Sequence, residues 1–277
     1  MTDRDEETMT DTTESPESRP RCMTSGLETV ELFNMPINNL TLAETLAAMG
    51  AHIEAGKQGF VVTPNVDHAV EYAKNELFRQ AYFHASFVLT DGVPILWAGK
   101  LFGKPIKEKI SGSDLLYWLS EYAAEKGYSV FLLGAAEGVG EEAGRILEEK
   151  YPGLKVAGTY SPPLGFEKDP EQNQKAIDLI KESGADICFT ALGAPKQDLW
   201  NWRYHEATGA KLALGIGASL DFVAGRVKRA PVWMQRVGLE WTWRIMQEPV
   251  RMGKRYLIRD AYFLILLWRE WRGGQRL

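Results

Sequence analysis

The sequence has little cysteine and no long apolar run, and each shortage excludes a class of protein. Its 277 residues include two cysteines, so a disulfide framework is excluded and a reducing cytoplasm is expected. The longest apolar run covers residues 261–268, far short of the roughly 20 residues that a transmembrane helix needs, so we expect no membrane crossing. The acidic tail over residues 1–26 lacks a signal-peptide core and is expected to be disordered.

Metal-binding patterns are also missing from the sequence. The four histidines, His52, His68, His84 and His205, have no partners at the spacing of a metal site. An Asp-x-Asp pattern at residues 3–5 lies in the tail, which offers no scaffold to hold a metal and a nucleotide. We therefore expect no metal and no cofactor.

Positive charge is scarce over most of the chain and concentrated at its end. The net charge is −5, but residues 226–277 carry +8 and hold five of the nine tryptophans. Arginine with tryptophan on a helix is typical of a segment that lies on an anionic membrane surface. A helix packed on the core with a solvated basic face explains the pattern equally well. The acidic total gives no indication of nucleic acid as a partner.

Apolar strand patterns alternate with helical patterns after the tail. Continuous apolar strands spaced by helices predict an α/β fold with a mainly parallel sheet and helices on both faces. We expect this body to cover residues 27–225 and a basic, helical appendage to cover residues 226–277. The latter part of the appendage is expected to form one or two helices, broken near Pro249 and Gly253. The predicted strands are residues 59–63, 87–90, 129–133, 155–159, 186–192 and 211–215.

Several helix boundaries are also predicted. A capping box from Thr41 to Glu44 indicates a helix that ends near residue 55. Helical spacing predicts a helical stretch from residue 66 to about residue 85, and another helix follows Pro94. Ser113 and Asp114 are expected to cap a helix that reaches about residue 126.

Polar residues follow two of the predicted strands. Thr63 and Asn65 come after the first strand, and Asp91 with Gly92 after the second. Because parallel sheets bind ligands at the carboxyl ends of their strands, a carboxylate there can serve as a general base. On spacing alone, the favoured interpretation is structural, with Asp91 and Gly92 in a turn and Asn65 as a helix cap.

Three glycine-containing stretches follow later strands. Gly138, Gly140 and Ala143 fit the dinucleotide pattern GxGxxA, but the supporting acid is missing and a tight turn explains them as well. Residues 192–197 could place a helix N-terminus and a lysine beside an anion, and residues 215–221 could admit a ligand to Asp221. A helix start and a glycine-rich turn are the structural alternatives.

Together these stretches resemble the WecG/TagA/CpsF glycosyltransferases, glycosyltransferase family 26, from about Leu27 to about Arg272. The agreement rests on many motifs in the same order. The matching stretches are residues 63–65, 91–92, 109–114, 133–135, 192–197, 215–221, 227–231, 238–241 and 244–251.

The resemblance implies a Rossmann-like, inverting, metal-independent enzyme at the cytoplasmic face of the membrane. The implied donor is UDP-N-acetylmannosamine or its uronate, and the implied acceptor is a polyprenyl-diphosphate-linked N-acetylglucosamine. No cofactor and no nucleic acid are implied, an anionic membrane surface is an expected partner, and a homo-oligomer is among the expected assemblies.

The resemblance also implies roles for individual residues. Asp91 matches the general base and Thr63 its neighbouring threonine. Gln197 and Asp221 match the nucleotide-sugar pocket. The other residues expected to bind substrate are Asn65, Lys109, Gly193, Gly217, Arg244 and Arg251, of which the two arginines match positions that close over the diphosphate. Lys109 and Lys254 stand where some relatives carry arginine, so charge is kept and bidentate geometry is lost.

Two alternatives remain open from the sequence. A nicotinamide- or flavin-dependent enzyme would use Gly138 and Gly140, and its missing acid argues against it. A non-catalytic module that docks on membranes and binds a nucleotide sugar would not need Asp91.

Overall fold

The protein is an α/β fold built on a six-stranded parallel sheet. The computed structural model describes residues 26–236, 238–247, 249, 253 and 260–273. The sheet order is β4–β3–β8–β7–β5–β6, and β1 and β2 form a separate antiparallel hairpin. The strands are β1 (Thr29–Leu32), β2 (Met35–Asn38), β3 (Gly59–Val62), β4 (Phe87–Val88), β5 (Ser129–Gly134), β6 (Lys155–Tyr160), β7 (Ile187–Ala191) and β8 (Leu212–Gly215).

Twelve α-helices lie within the described residues, most of them between strands. Two 3₁₀ turns, Phe166–Lys168 and Asp260–Tyr262, precede the seventh and the last helix. The helices are α1 (Leu42–Glu54), α2 (Val66–Lys74), α3 (Glu76–His84), α4 (Val93–Leu101), α5 (Gly112–Lys126), α6 (Val139–Lys150), α7 (Pro170–Ser183), α8 (Lys196–Thr208), α9 (Ser219–Val223), α10 (Val232–Arg236), α11 (Glu240–Gln247) and α12 (Phe263–Trp271).

Apolar side chains project from both faces of the sheet into core clusters. Val61 and Leu132 enter one core cluster, which also contains residues of α1, α5 and α6. Phe60 enters a second cluster with residues of α2 and α3, and Phe131 and Cys188 enter a third with residues of α7. Because successive strand residues point to opposite faces, the continuous apolar runs in the sequence reflect burial on both sides.

The predicted strands and the first helices are confirmed, and one helix cap is wrong. Thr41 forms the predicted capping box with Glu44 at the start of α1. The helical stretch predicted over residues 66–85 is two helices, α2 and α3, divided at Asn75, whose side chain accepts the Phe78 N–H and starts α3. Helix α5 is capped by Ser111 and not by Ser113 or Asp114, because the Ser111 side chain accepts the Asp114 N–H at 3.1 Å.

The segment after residue 225 contains three described helices, α10 to α12. Two of them, α11 and α12, lie in its latter part, in agreement with the one or two helices predicted there. Helix α12 packs on the body through Phe263 and Leu266, which are buried. The acidic tail over residues 1–25, Arg251 and Lys254 lie outside the described residues. Within the described part of the chain, no helix is long and apolar enough to span a bilayer.

Candidate active site

A cleft of about 940 Å³ opens at the carboxyl ends of the parallel strands. Its walls come from the residues that follow β3, β4, β7 and β8, from the first turns of α2 and α5, and from α11. This volume is at the large end of the range for small-molecule sites, as an extended ligand requires.

The cleft brings together most of the residues predicted from the sequence. Lys109 is not among its lining residues but lies beside it, 3.4 Å from Asp114 through Nζ and Oδ2. Arg251 lies outside the described residues. The predicted residues that line the cleft are Thr63, Asn65, Asp91, Gly193, Gln197, Gly217, Asp221 and Arg244.

Asp91 lies where β4 ends. Its N–H donates to the Pro64 oxygen at 2.8 Å, while Gly92, at φ +116°, begins α4 without a side-chain cap. The positive φ of Gly92 agrees with the turn interpretation for this residue. Burial raises the pKa of Asp91 to about 6; the positive charge of Lys109 opposes this rise, and the negative charge of Glu240 adds to it.

A charged network lies at the start of α5. Arg229 Nη2 donates to Asp114 Oδ1 at 2.7 Å, and Ser111 Oγ donates to Asp114 Oδ2 at 2.6 Å. Burial opposes ionisation of Asp114, but Ser111, Arg229 and Lys109 outweigh it and hold its pKa below the ordinary value. The network ties the segment after residue 225 to the body at the edge of the cleft. No local pattern predicts the Arg229 contact, which joins residues 115 positions apart.

The start of α5 lies very close to the ends of β3 and β8. A Cβ added to Gly112 would lie 2.7 Å from the Gly215 oxygen and 3.3 Å from Thr63 Oγ1. Glycine is therefore required at this position for the helix to approach the strand ends. Thr63 is buried and lines the cleft beside this contact.

Asn65 and Gln197 both hold backbone at the cleft. The Asn65 side chain accepts the His68 N–H at 3.1 Å, so the helix-cap interpretation is confirmed, and the residue also lines the cleft. Gln197 Oε1 accepts the Gly217 N–H at 3.0 Å. Both residues therefore position neighbouring groups, and each keeps an amide nitrogen with which a ligand could bond.

Helix α11 closes one side of the cleft with four side chains, Glu240, Trp243, Arg244 and Gln247. Arg244 Nη2 is 3.3 Å from Glu240 Oε1, and its guanidinium carbon is 5.5 Å from the ring centroid of Phe222 in α9. Trp243 Nε1 donates to the Lys228 oxygen at 2.9 Å. Among these residues, the sequence had indicated only Arg244.

A buried polar cluster that sequence reasoning missed lies beside the cleft. Asp67 and His68, in the first turn of α2, line the cleft. His68 Nδ1 is 2.7 Å from the Tyr82 hydroxyl, and Nε2 is 3.8 Å from Asp198 Oδ2. Burial raises the pKa of Asp198 to about 7. In the sequence, this cluster could have been found from residues 67 and 68, which follow the end of a predicted strand closely.

The GxGxxA stretch occupies a different place. Gly138 is in the left-handed region at φ +77° and begins α6, and none of Gly138, Gly140 and Ala143 is among the residues that line the cleft. The tight-turn interpretation accounts for this stretch. Among the described residues, no group of three or more histidine, cysteine, aspartate or glutamate side chains could hold a metal ion.

Fold and site together define a class: an α/β protein in which a carboxylate of raised pKa and arginine side chains border one cleft at the strand ends. A family model described as "Glycosyl transferase WecG/TagA/CpsF family" matches residues 30–277. The chain belongs to this family of glycosyltransferases.

Curated relatives are similar over nearly their whole length. A protein of Bacillus spizizenii is 34% identical over 241 residues, covering 85% of this chain and 91% of the relative. One of Bacillus subtilis strain 168 is 30% identical over 245 residues, covering 88% and 93%. One of Staphylococcus aureus strain MRSA252 is 27% identical over 233 residues, covering 83% and 89%. All three are named N-acetylglucosaminyldiphosphoundecaprenol N-acetyl-beta-D-mannosaminyltransferase.

Proposed function

We propose that this Rossmann-like enzyme transfers a hexosamine-type sugar, N-acetylmannosamine or its uronate, from UDP to a polyprenyl-diphosphate-linked N-acetylglucosamine. The names of the relatives support the sugar and the acceptor. The observation that carries the proposal is Asp91, a carboxylate of raised pKa in a cleft that arginine borders. The transfer inverts the anomeric configuration and uses no metal.

Asp91 is the proposed general base. It accepts the proton of the acceptor hydroxyl while that oxygen forms its bond to the anomeric carbon and the bond from that carbon to the UDP oxygen breaks. A pKa of about 6 leaves the carboxyl mostly ionised at neutral pH and makes it a stronger base than an ordinary aspartate. Thr63, at the neighbouring strand end, positions the acceptor or donor beside it.

The leaving diphosphate is the proposed ligand of the cations. Arg244 and Lys228 line the cleft, and Lys109 flanks it. Positive side chains stabilise the charge that develops on the leaving group and so take the role that a metal plays in other transferases. Arg251 belongs to the same proposed set, although it lies outside the described residues.

The uridine and sugar parts of the donor are the proposed ligands of the remaining residues. Asp221 accepts hydrogen bonds from the base or the ribose, and Gln197 orders the backbone at Gly217. Gly193 and Gly217, both at positive φ, let the ligand approach the main chain closely. Asn65 contributes its amide nitrogen.

The segment over residues 226–277 is the proposed membrane-associating appendage of a body over residues 27–225. Its charge of +8 favours an anionic lipid surface, where each exposed basic residue contributes about 1 kcal/mol. The enzyme then acts as a peripheral protein at the inner face of the membrane, where a lipid-linked acceptor lies. A homo-oligomer is compatible with this arrangement.

A UDP-release assay tests the function. Wild-type enzyme, Asp91→Asn and the matched surface control Asp178→Asn are given a panel of UDP-sugars with a lipid-linked N-acetylglucosamine and EDTA. We expect release that depends on the acceptor with an N-acetylmannosamine-type donor, for the wild type and the control alone. Absence of acceptor-dependent release with every donor would refute the proposal.

A further inference from the structure

Helix α12 is apolar on two sides. Its inner side packs on the body through Phe263 and Leu266. Its outer side exposes Leu264, Trp268 and Trp271, at the spacing that aligns residues along one face of a helix. Single exposed apolar residues are ordinary, but an aligned row of large ones indicates a surface that meets another apolar phase.

Helix α4 of the body repeats this arrangement. Ile95 and Ala98 are buried, whereas Trp97 and Leu101, four residues apart, are 60% and 72% exposed. Lys100 lies exposed between them. This helix precedes the basic appendage by more than a hundred residues, so its exposed tryptophan is not explained by the composition of the appendage.

The two helices are neighbours. Lys104, just after α4, forms an ion pair of 2.7 Å with Glu270 of α12. The ring of Phe33 contacts those of Phe102 and Phe263, with centroids 6.5 Å and 5.2 Å away. These contacts place the carboxyl end of α4 next to α12.

Positive charge accompanies the apolar side chains. The Arg272 guanidinium carbon lies 4.4 Å from the ring centroid of Trp268, and Lys100 lies one turn from Trp97 on α4. Tryptophan with arginine and lysine is the combination that fits the boundary between anionic headgroups and acyl chains.

We infer that α4 and α12 form one membrane-contact face, which we call the α4–α12 face, and that its partner is an anionic lipid surface. The α/β body thus binds the membrane directly, beside the appendage. This inference rests on the proposed function. Asp91 precedes α4 by one glycine, so a membrane bound to this face lies next to the catalytic cleft and its lipid-linked acceptor.

Vesicle sedimentation of the full chain tests the α4–α12 face. The vesicles contain phosphatidylglycerol and phosphatidylcholine in equal parts, with neither donor nor acceptor, so binding is measured independently of catalysis. The variants are Trp97→Ser, Leu101→Ser and their combination. The matched control is Leu164→Ser, which removes a fully exposed leucine after β6, at the opposite edge of the sheet from β4.

We expect the double variant to bind vesicles at least roughly tenfold more weakly than the wild type, a loss of about 1.4 kcal/mol. Leu164→Ser should bind like the wild type. Leu101→Phe, which keeps the side chain apolar, should preserve the binding that Leu101→Ser loses. Circular dichroism and UDP release from a short-chain, water-soluble acceptor should stay at the wild-type level. Wild-type vesicle binding by the double variant would overturn the inference. The inference would also be overturned if the double variant were a monomer where the wild type is a dimer while vesicle binding stayed unchanged, because a second copy of the chain would then be the partner of this face. Loss of activity on the short-chain acceptor in all proteins, with vesicle binding as expected, would refute the proposed function and not this face.

Discussion

The strand ends of the body and helix α11 border the same cleft, but they are held in place very differently. Thr63 and Gln197 are buried, and so is every residue of β3 and β8. Helix α11 has no buried residue; its Arg244 lies over the ring of Phe222 in the body, and its Trp243 donates to the oxygen of Lys228 in the preceding segment. The proposed base, Asp91, therefore follows a buried strand, whereas the proposed diphosphate ligand Arg244 lies on a helix without buried residues. We expect the local stability of that helix to be low.

The largest effect is expected at the fixed region. Asp91→Asn keeps the shape of the side chain and removes its basicity, so kcat should fall by a factor on the order of 10²–10⁴. UDP affinity, measured by calorimetry, should be close to that of the wild type. Wild-type turnover by a correctly folded Asp91→Asn protein would remove this residue from the role of base.

The next effect is expected at α11. Arg244→Ala should lower kcat/KM and UDP affinity together by roughly 10- to 100-fold, since a charge-assisted hydrogen bond contributes about 1.5–3 kcal/mol. Arg244→Lys should recover part of the loss, because it restores the charge without the fork geometry. If Arg244→Ala altered neither quantity, α11 would be a wall of the cleft without a ligand contact.

A smaller effect is expected at Asp221, again in the body. Asp221→Ala should weaken UDP binding by about threefold to tenfold, the value of a typical net hydrogen bond, and should create no metal requirement. Calorimetry with and without EDTA measures both. An unchanged affinity would mean that residues 215–221 are only a turn, and Asp178→Ala serves as the control.

The smallest expected effect is a shift in the pH dependence of kcat/KM. A substitution in the body and a substitution in α11 should shift it in opposite directions. Asp91 must be ionised to accept a proton, so kcat/KM should rise with pH, reach half of its maximum near pH 6 and level off about one pH unit above that. Lys109→Gln removes a charge that lowers the pKa of Asp91, so the rising limb should move to higher pH. Glu240→Gln removes a charge that raises it, so the limb should move to lower pH. Equal profiles for both variants and for the exposed control Glu121→Gln would contradict the electrostatic account.

The sheet could be predicted because its signal is local: buried parallel strands appear as apolar runs, and the ends of those runs mark where a ligand could bind. Spacing alone favoured a turn and a helix cap at these ends, so the roles expected of Thr63, Asp91 and Gln197 depend on the family resemblance. The β1–β2 hairpin was missed because its turn places Phe33 and Asn34 at positive φ, and Phe33 is not a residue that signals such a turn.

The other differences between the predictions from the sequence and the structure also have specific causes. Asn75 lies between two stretches of helical spacing, so only its capping hydrogen bond reveals the break. Ser111 and Ser113 are both good caps, and the sequence does not decide between them. The Arg229–Asp114 pair joins residues 115 positions apart, and the effect of Glu240 on Asp91 depends on how α11 docks. Such contacts depend on tertiary packing and have no local pattern.

The strand ends and α11 are proposed to bind one ligand together. Hydrogen–deuterium exchange with and without UDP tests this most directly. In the free protein, the amides of residues 240–247 should exchange much faster than those of β8, because α11 has no buried residue. With saturating UDP, we predict protection both at residues 215–221 and at residues 240–247. Protection confined to the body, with α11 exchanging as in the free protein, would contradict the claim.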